Sequence, residues 1–499
     1  MTIHSLFLTL ALLSAAASAQ TPKVKQWDRF EAAVTNTTQY ANPYKDVELK
    51  VTYTKPNGAK VDFWGFHDGG QTWRIRFMPD VTGKWSYEAR FTDNQPGTRG
   101  SFEVTRSDLP GMISQYEANP IWFGYRNGKR ALIRSFHVGD RFFARNWDAA
   151  SRKAFLDWFE NQGYNTISIA SHYLNRTVER RGKDWNTPDL YPLNAAEFQY
   201  LESMLDELNR RRILVFPFAG FFGKESDFPR EPGEQELYIK YTLARLGPYW
   251  NHFLLAGGPE PLLKKNPHLT LEEVNRLGAL INKLDPFGHL LSVHNATGED
   301  LFKNQSWTSY GVVQGPKTLD PALLSKGLLA IHHPSKPLFA QETLWPGNTF
   351  GHPKYTLTHV RKNAYVVLLS AAALNYADME GSSSSGFSGS MNMSEKIQER
   401  HDLIRRIWNF FDTLPFERMK PRQDLVDNGY CLAEEGREYL VYLDKPGAVT
   451  IKLDSAARYT AQWIDAQNTS ESRPARPTAP GTFETPAGGD DWLLRLRRK

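Results

Sequence analysis

The chain has 499 residues, a formal charge of +5 and one cysteine, Cys431. That length allows two to four domains. A single cysteine excludes an internal disulfide, and a small charge without basic runs interleaved with aromatics argues against nucleic acid as a partner.

In chain order, residues 1–19 read as a secretory signal. Leu6 to Leu13 is a short apolar run and Ala17-Ser18-Ala19 is a small-residue cleavage site. The run is too short to span a bilayer, which disfavours a membrane anchor. The expected product is soluble, without membrane insertion, and periplasmic or secreted. Export without disulfides fits a bacterial protein.

Residues 20–110 alternate apolar and polar positions in short runs: Val47–Tyr53, Val61–Phe66, Trp73–Phe77 and Gly83–Tyr87. Gly, Pro and Asn punctuate them, which predicts an N-terminal antiparallel β-sandwich. A linker at Leu109-Pro-Gly111 leads into a hairpin turning at Asn127-Gly128.

From 111 to 415 the pattern changes. Strands are predicted at 131–138, 165–170, 213–219, 253–258, 290–295, 309–314, 337–341 and 372–377. Between them lie helices such as Ala149–Gln162, Ala195–Arg212, Leu271–Leu284 and Tyr355–Ser370, and a last helix covers about Ser394–Phe411. Eight strands in this alternation predict a (β/α)8 TIM barrel. The fifth-to-sixth connection is short and poorly helical. A doubly wound open sheet is the alternative, but no Gly-rich phosphate loop follows any strand. Residues 416–499 are β again and predict a C-terminal antiparallel β-sandwich, with Ser470–Pro480 as an exposed loop. Gly381–Gly389 is a Ser-rich loop beside the expected pocket.

Two segments carry the chemistry. Phe253–Glu260 and Pro337–Glu342 are hydrophobic runs that each stop at a glutamate. On strands four and seven of a barrel, both carboxylates face the C-terminal mouth, where barrels do chemistry. Two facing carboxylates are the minimum for glycoside hydrolysis: ~5–5.5 Å apart when one attacks the sugar, ~6.5–9.5 Å when a water does. By analogy with barrels carrying the pair on these strands, Glu260 is assigned as acid/base and Glu342 as nucleophile of a retaining mechanism. The structural alternative for either is a helix-start charge or an arginine partner.

Other polar residues sit at predicted strand ends and suit sugar hydroxyls: His137 and Arg145, His172 and Tyr173, His294 and Asn295, Tyr310 and Gln314, with Trp345 as an aromatic platform. Asp378 and Glu380 end strand eight. They could bind a hydroxyl, although a helix-terminal charge or loop contact is the favoured reading. His332-His333 cannot face one ion as an i, i+4 pair can, and no companion ligands complete a site. No metal or cofactor is expected. No Gly-X-Ser-X-Gly elbow is present.

These motifs resemble known modules. Arg76–Pro79 through Gly83–Tyr87 is similar to an N-terminal β-sandwich domain of unknown function that is often fused to glycosidase barrels. Ala-Gly-Gly-Pro-Glu260 and Ala-Gln-Glu342 resemble the apiosidase-like group of clan A glycoside hydrolases. Tyr459–Trp463, Phe483–Pro486 and Gly489–Leu494 resemble a C-terminal domain type labelled collagen-binding. The resemblance implies an exported glycoside hydrolase acting on a polysaccharide or its oligosaccharides. It also marks two departures. Pro259 stands where clan A barrels usually carry Asn, so recognition of the sugar 2-hydroxyl must come from elsewhere. Ser135-Phe-His137 replaces an Asp-rich turn. The alternatives are a non-catalytic carbohydrate-binding protein, or a polysaccharide lyase with a His or Tyr base.

Overall fold

The computed structural model describes residues 21–139, 142, 148–169, 193–217, 221–223, 228–262, 267–296, 298–380 and 393–499. The expected signal segment and the Gly381–Gly389 loop lie outside them. Among the described residues no helix is long and apolar enough to cross a membrane.

The first unit is one seven-stranded sheet. Its strands run in the order Lys23–Lys25, Thr98–Thr105, Gly83–Phe91, Leu49–Thr54, Lys60–His67, Thr72–Phe77 and Phe30–Thr35. All neighbours are antiparallel except the first pair. This differs from the expected sandwich of two separate sheets. The sheet curls on itself and is nearly closed. Phe30 from one edge stacks on Phe102 near the other at 3.9 Å between ring centroids, and Tyr53 meets Phe77 at 4.3 Å. Alternation along each strand fixes which face is apolar but leaves strand order open.

The middle unit is built from parallel strands. One sheet of six runs in the order Leu214–Pro217, Thr166–Ile169, Arg134–Gly139, Ala372–Tyr376, Leu338–Leu344 and Gly311–Gln314. A second sheet holds Phe222–Gly223, Leu254–Pro259 and Leu291–His294. All eight predicted strand segments are therefore strands, with Phe222–Gly223 in addition. Single contacts link the sheets: a parallel bridge between Val215 and His252, and a hydrogen bond from Ser309 N to Leu291 O at 2.9 Å. The strands are buried on both faces, which is why they read as continuous apolar runs.

Helices cover the outside. Asp148, Asn194, Thr270 and Asp320 cap Ala149–Asn161, Ala195–Arg210, Leu271–Leu284 and Pro321–Ile331 by accepting backbone N–H bonds. The fifth-to-sixth connection, residues 295–310, holds only turns among the described residues.

The hairpin of Ile113–Gln115 and Phe123–Tyr125 seals the floor. Phe123 packs on Phe253, Tyr310 and Phe339, and Phe216 stacks on Phe339 at 4.1 Å.

The seam between first and middle units is charged and buried. Arg76 and Arg245 both hold Glu202, at 2.8 and 2.6 Å, and Arg245 also reaches Asp68 at 2.9 Å. Arg76 and Arg74 hold Glu31. The Phe66 ring lies under both the Arg76 and Arg245 guanidiniums. Three cations meet three carboxylates here, which is the condition under which buried charge is tolerated.

The last unit has two antiparallel sheets. One of six strands runs Lys420–Pro421, Tyr430–Glu434, Glu438–Leu443, Trp492–Arg498, Tyr459–Asp465 and Ser472–Pro474; one of three holds Ala448–Thr450, Thr482–Glu484 and Pro477–Ala479. Val441, Leu494, Val449 and Phe483 share one core between them. Residues 472–479, expected as a loop, are exposed edge strands instead. This unit is locked to the Leu357–Leu369 helix, where Arg361 holds Asp491 through Nε at 2.9 Å and Nη2 at 2.8 Å.

Candidate active site

The parallel strands do not end regularly. Register shifts fall at His137/Gly139, Leu255/Pro259, Val313/Gln314 and Ala340/Leu344, all towards the C-terminal ends. Such bulges re-aim side chains and favour active sites.

Glu260 owes its position to the sequence before it. Gly257 and Gly258 both have positive φ, and a Cβ on Gly223 would lie 2.3 Å from Gly258 Cα, so these two backbones meet only as glycines. The turn leaves Glu260 itself at φ +47, with its N–H donating to His294 O at 2.9 Å. A left-handed non-glycine residue costs roughly 1–3 kcal/mol, and such strain clusters at functional sites. Glu342 lies inside Leu338–Leu344 and is 1% exposed, whereas Glu260 is half-buried.

The two carboxylates share one donor. Gln314 Nε2 donates to Glu260 Oε1 at 2.8 Å and to Glu342 Oε2 at 2.7 Å. On its other oxygen, Glu342 accepts from Lys317 Nζ at 2.6 Å, and His352 Nε2 stands 3.6 Å away, within ion-pair reach but too long for a hydrogen bond. Burial pushes the Glu342 carboxyl up. The His352 ring, the Lys317 ammonium and His294 outweigh it and bring the carboxyl down to about 2. Glu342 is therefore an anion across the physiological range.

Three imidazoles surround this pair. His137 stacks on Trp345 at 4.2 Å, and the Trp345 ring is also parallel to His352 at 6.1 Å. Burial pulls His137 down to about 3, against the pull of Glu342. Burial also lowers His294 and His352. All three are neutral at pH 7, so Lys317 supplies the positive charge beside Glu342. His294 Nε2 donates to Gln341 Oε1 at 2.8 Å. Ser135, Ser168 and Asn375 form the layer beneath, with Ser135 Oγ donating to Asn375 Oδ1 at 2.7 Å and Asn375 Nδ2 to Gln341 O at 2.8 Å.

The predicted ring thus divides. His137, His294, Gln314 and Trp345 gather around Glu260 and Glu342. Trp345 is fully buried and donates to Asn375 O at 3.1 Å, so its ring is packed beside His137 and His352 rather than open at the mouth. Asn295 is buried beside the pair and turns to Val293 O and Asp300. Tyr310 lies on the floor, donating to Leu254 O at 3.1 Å among the aromatics around Phe123. It points to the opposite end from the carboxylates. Asp378 and Glu380 are both held by Arg400, at 2.6 Å each, and Asp378 also accepts from Tyr376. Arg145, His172 and Tyr173 lie outside the described residues.

Lys317, His352, Gln341 and Arg400 escaped the sequence reading. Lys317 had a signal, since it follows Gln314-Gly-Pro just past a strand end. His352 sits on a loop whose return to the pocket no periodicity announces.

The family described as "Domain of unknown function (DUF5060)" matches residues 23–92. No curated protein matches the chain. Among solved structures, a "putative glycoside hydrolase" from Bacteroides vulgatus is 20% identical, covers 96% of this chain and 100% of its own, and has a TM-score of 0.75. A glycoside hydrolase family 5 structure from the same organism is 15% identical over 78% of this chain and 94% of its own, with a TM-score of 0.57. A third, named only "Glycoside hydrolase", is 14% identical over 78% and 98%, with a TM-score of 0.58. At these identities the likeness is one of fold: the chain shares its multidomain architecture with glycoside hydrolase-like structures.

Proposed function

We propose that this protein is an exported glycoside hydrolase that cleaves glycosidic bonds in a polysaccharide or its oligosaccharides by a retaining mechanism. In this reading the two parallel sheets close into one (β/α)8 barrel through the Val215–His252 bridge and the Ser309–Leu291 hydrogen bond. Residues 1–19 are the signal, and the motifs at Glu260 and Glu342 support a likeness of the barrel to the apiosidase-like group. The similar solved structures that carry glycoside hydrolase names support the reaction class.

One observation carries the mechanism. Two carboxylate oxygens that share Gln314 Nε2 at 2.8 and 2.7 Å cannot stand farther apart than those distances laid end to end. Two groups held this close by one donor support the ~5–5.5 Å spacing of retaining enzymes over the ~6.5–9.5 Å gap in which a water attacks. Glu342, held as an anion, is the nucleophile that attacks the anomeric carbon. Glu260, closer to solvent, gives its proton to the leaving oxygen. It then takes one from the water that releases the sugar from Glu342. Gln341 Nε2 and His352 Nε2 are buried without a hydrogen-bond partner, and sugar hydroxyls would satisfy them. The lyase alternative finds less support, because His137 at about 3 is a weak base and Tyr310 is on the floor.

The test is a polysaccharide panel read by reducing ends and by absorbance of unsaturated uronates. Reducing ends without new absorbance are expected. On the substrate so found, azide is expected to rescue Glu260→Ala and give a glycosyl azide of retained configuration. An inverted product would demote Glu342 to a base, and an unsaturated product would replace the hydrolase reading with the lyase.

A further inference from the structure

The burial of Trp345 leaves the mouth without the aromatic platform expected there. The loop that follows it supplies another. Six large hydrophobic side chains are exposed among the described residues: Val81, Leu271, Leu301, Leu323, Phe350 and Met393; Phe350, at 55%, is the one aromatic. Isolated surface hydrophobics need no explanation by themselves. The place of Phe350 does.

Its carbonyl accepts from Lys317 Nζ at 3.0 Å, and the same ammonium donates to Glu342 Oε1 at 2.6 Å. One nitrogen therefore separates the backbone of Phe350 from the candidate nucleophile. A phenylalanine side chain is longer than that gap, so the ring is within reach of the space a sugar on Glu342 would occupy. The loop is also fixed. Phe350 N donates to Asn348 Oδ1 at 2.6 Å, and Asn348 N to Trp345 O at 3.2 Å. Met379 N donates to Pro346 O at 2.8 Å. At Gly347, φ is +78 and a Cβ would come within 2.3 Å of Glu380 N, so the loop lies directly on the next strand's end. Downstream, Tyr355 Oη anchors it to Thr343 O at 3.3 Å. A ring displayed on a fixed loop binds with little loss of conformational freedom.

We propose that Phe350 is the stacking platform for a pyranose unit of the substrate chain adjacent to the scissile bond. This rests on the hydrolase reading above. The apolar C–H face of a neutral pyranoside packs on an aromatic ring, while the hydroxyls at its rim meet the polar groups of the pocket. The side chain binds substrate, and the main chain of the same residue holds Lys317.

The two roles separate experimentally. In a Glu342→Gln background, binding to galactomannan, xylan, arabinogalactan and pectin is measured by affinity electrophoresis. At least one polysaccharide is expected to retard Glu342→Gln. Adding Phe350→Ala should weaken that retardation at least about ten-fold, and Phe350→Trp should preserve it. With Glu342 intact, Phe350→Ala should leave the acid limb of the pH–rate profile in place, because the carbonyl that holds Lys317 remains. Equal binding by the alanine variant overturns the platform and leaves the hydrolase reading standing. A shifted acid limb overturns it too, since the loop has then moved. If no polysaccharide is retained and none is cleaved by the parent protein, the hydrolase reading fails and the platform with it.

Discussion

The two ends of the parallel strands solve opposite problems with the same backbone. At the floor, Phe123, Phe216, Phe253, Tyr310 and Phe339 meet ring on ring, and the one hydroxyl among them is satisfied by Leu254 O. At the mouth, a few residues further along the same strands, a buried carboxylate, an amide, an ammonium and three imidazoles crowd around Glu260. The floor is regular and ends in a hairpin that plugs it. The mouth is where the register shifts and the left-handed glutamate collect. One end is built for stability and the other gives some of it up for chemistry.

The comparison breaks if a mouth substitution acts through stability, or a floor substitution through chemistry. The largest effect is expected at Glu342. Glu342→Ala should cut turnover by ~10⁴-fold or more, because the covalent intermediate cannot form. Its stability should fall as well, since Lys317 and Gln314 lose their buried partner, so turnover is read on the folded fraction. Near-normal turnover would reject the assignment.

Phe339→Ala at the floor should act on stability alone. Removing a fully buried ring costs about 3–5 kcal/mol of stability, read by denaturant unfolding. The pH–rate profile of the folded fraction should not move. A shifted profile with unchanged stability would mean that the two ends are not separate.

Lys317→Met should lower kcat/KM by about 10–100-fold. Without the ammonium, burial acts on Glu342 with less opposition, so its carboxyl rises from about 2. The acid limb of activity should then move to higher pH. An unmoved limb would show that His352 and His294 suffice.

The smallest effect sharpens the comparison through pH. His252 at the floor and His137 at the mouth are both held down to about 3 by burial, against an ordinary value near 6.5. For each, the unfolded chain takes up a proton first as pH falls. The stability contribution is full above about 6.5 and is lost progressively towards 3, by about 1 kcal/mol per pH unit. His252→Phe should flatten that slope in urea titrations between pH 6 and 4 while leaving the activity profile alone. An unchanged slope would place the acid sensitivity elsewhere.

Much of this contrast was legible in the sequence, and the reasons are specific. The parallel strands announced themselves because burial on both faces makes their sequences continuous apolar runs. Glu260 and Glu342 stood out because each ends such a run. Tyr310 did not reveal which end it faces, because near a strand start one residue decides between floor and mouth. The Pro232–Leu246 helix shows no clear pattern because it is wedged between the parallel strands and the first sheet. Tyr238, Tyr241, Thr242 and Arg245 are buried with its leucines, and that erases the amphipathic period. Lys317 and His352 act through loops, and loop closure leaves no pattern to count. The curl of the first sheet depends on which strands pair, which alternation does not encode.

The charged seam between the first sheet and the helices of the middle unit has a consequence for how the chain can be divided. The sheet leaves the ribosome before the helix that carries Glu202 and the helix that carries Arg245. Arg76, Phe66 and Asp68 meet both helices along one seam. The sheet covers one flank of the parallel-strand unit. The heritable unit is thus sheet and parallel-strand unit together, since a gene fragment encoding the latter alone would leave Glu202 and Arg245 as a charged scar on a bare helical surface.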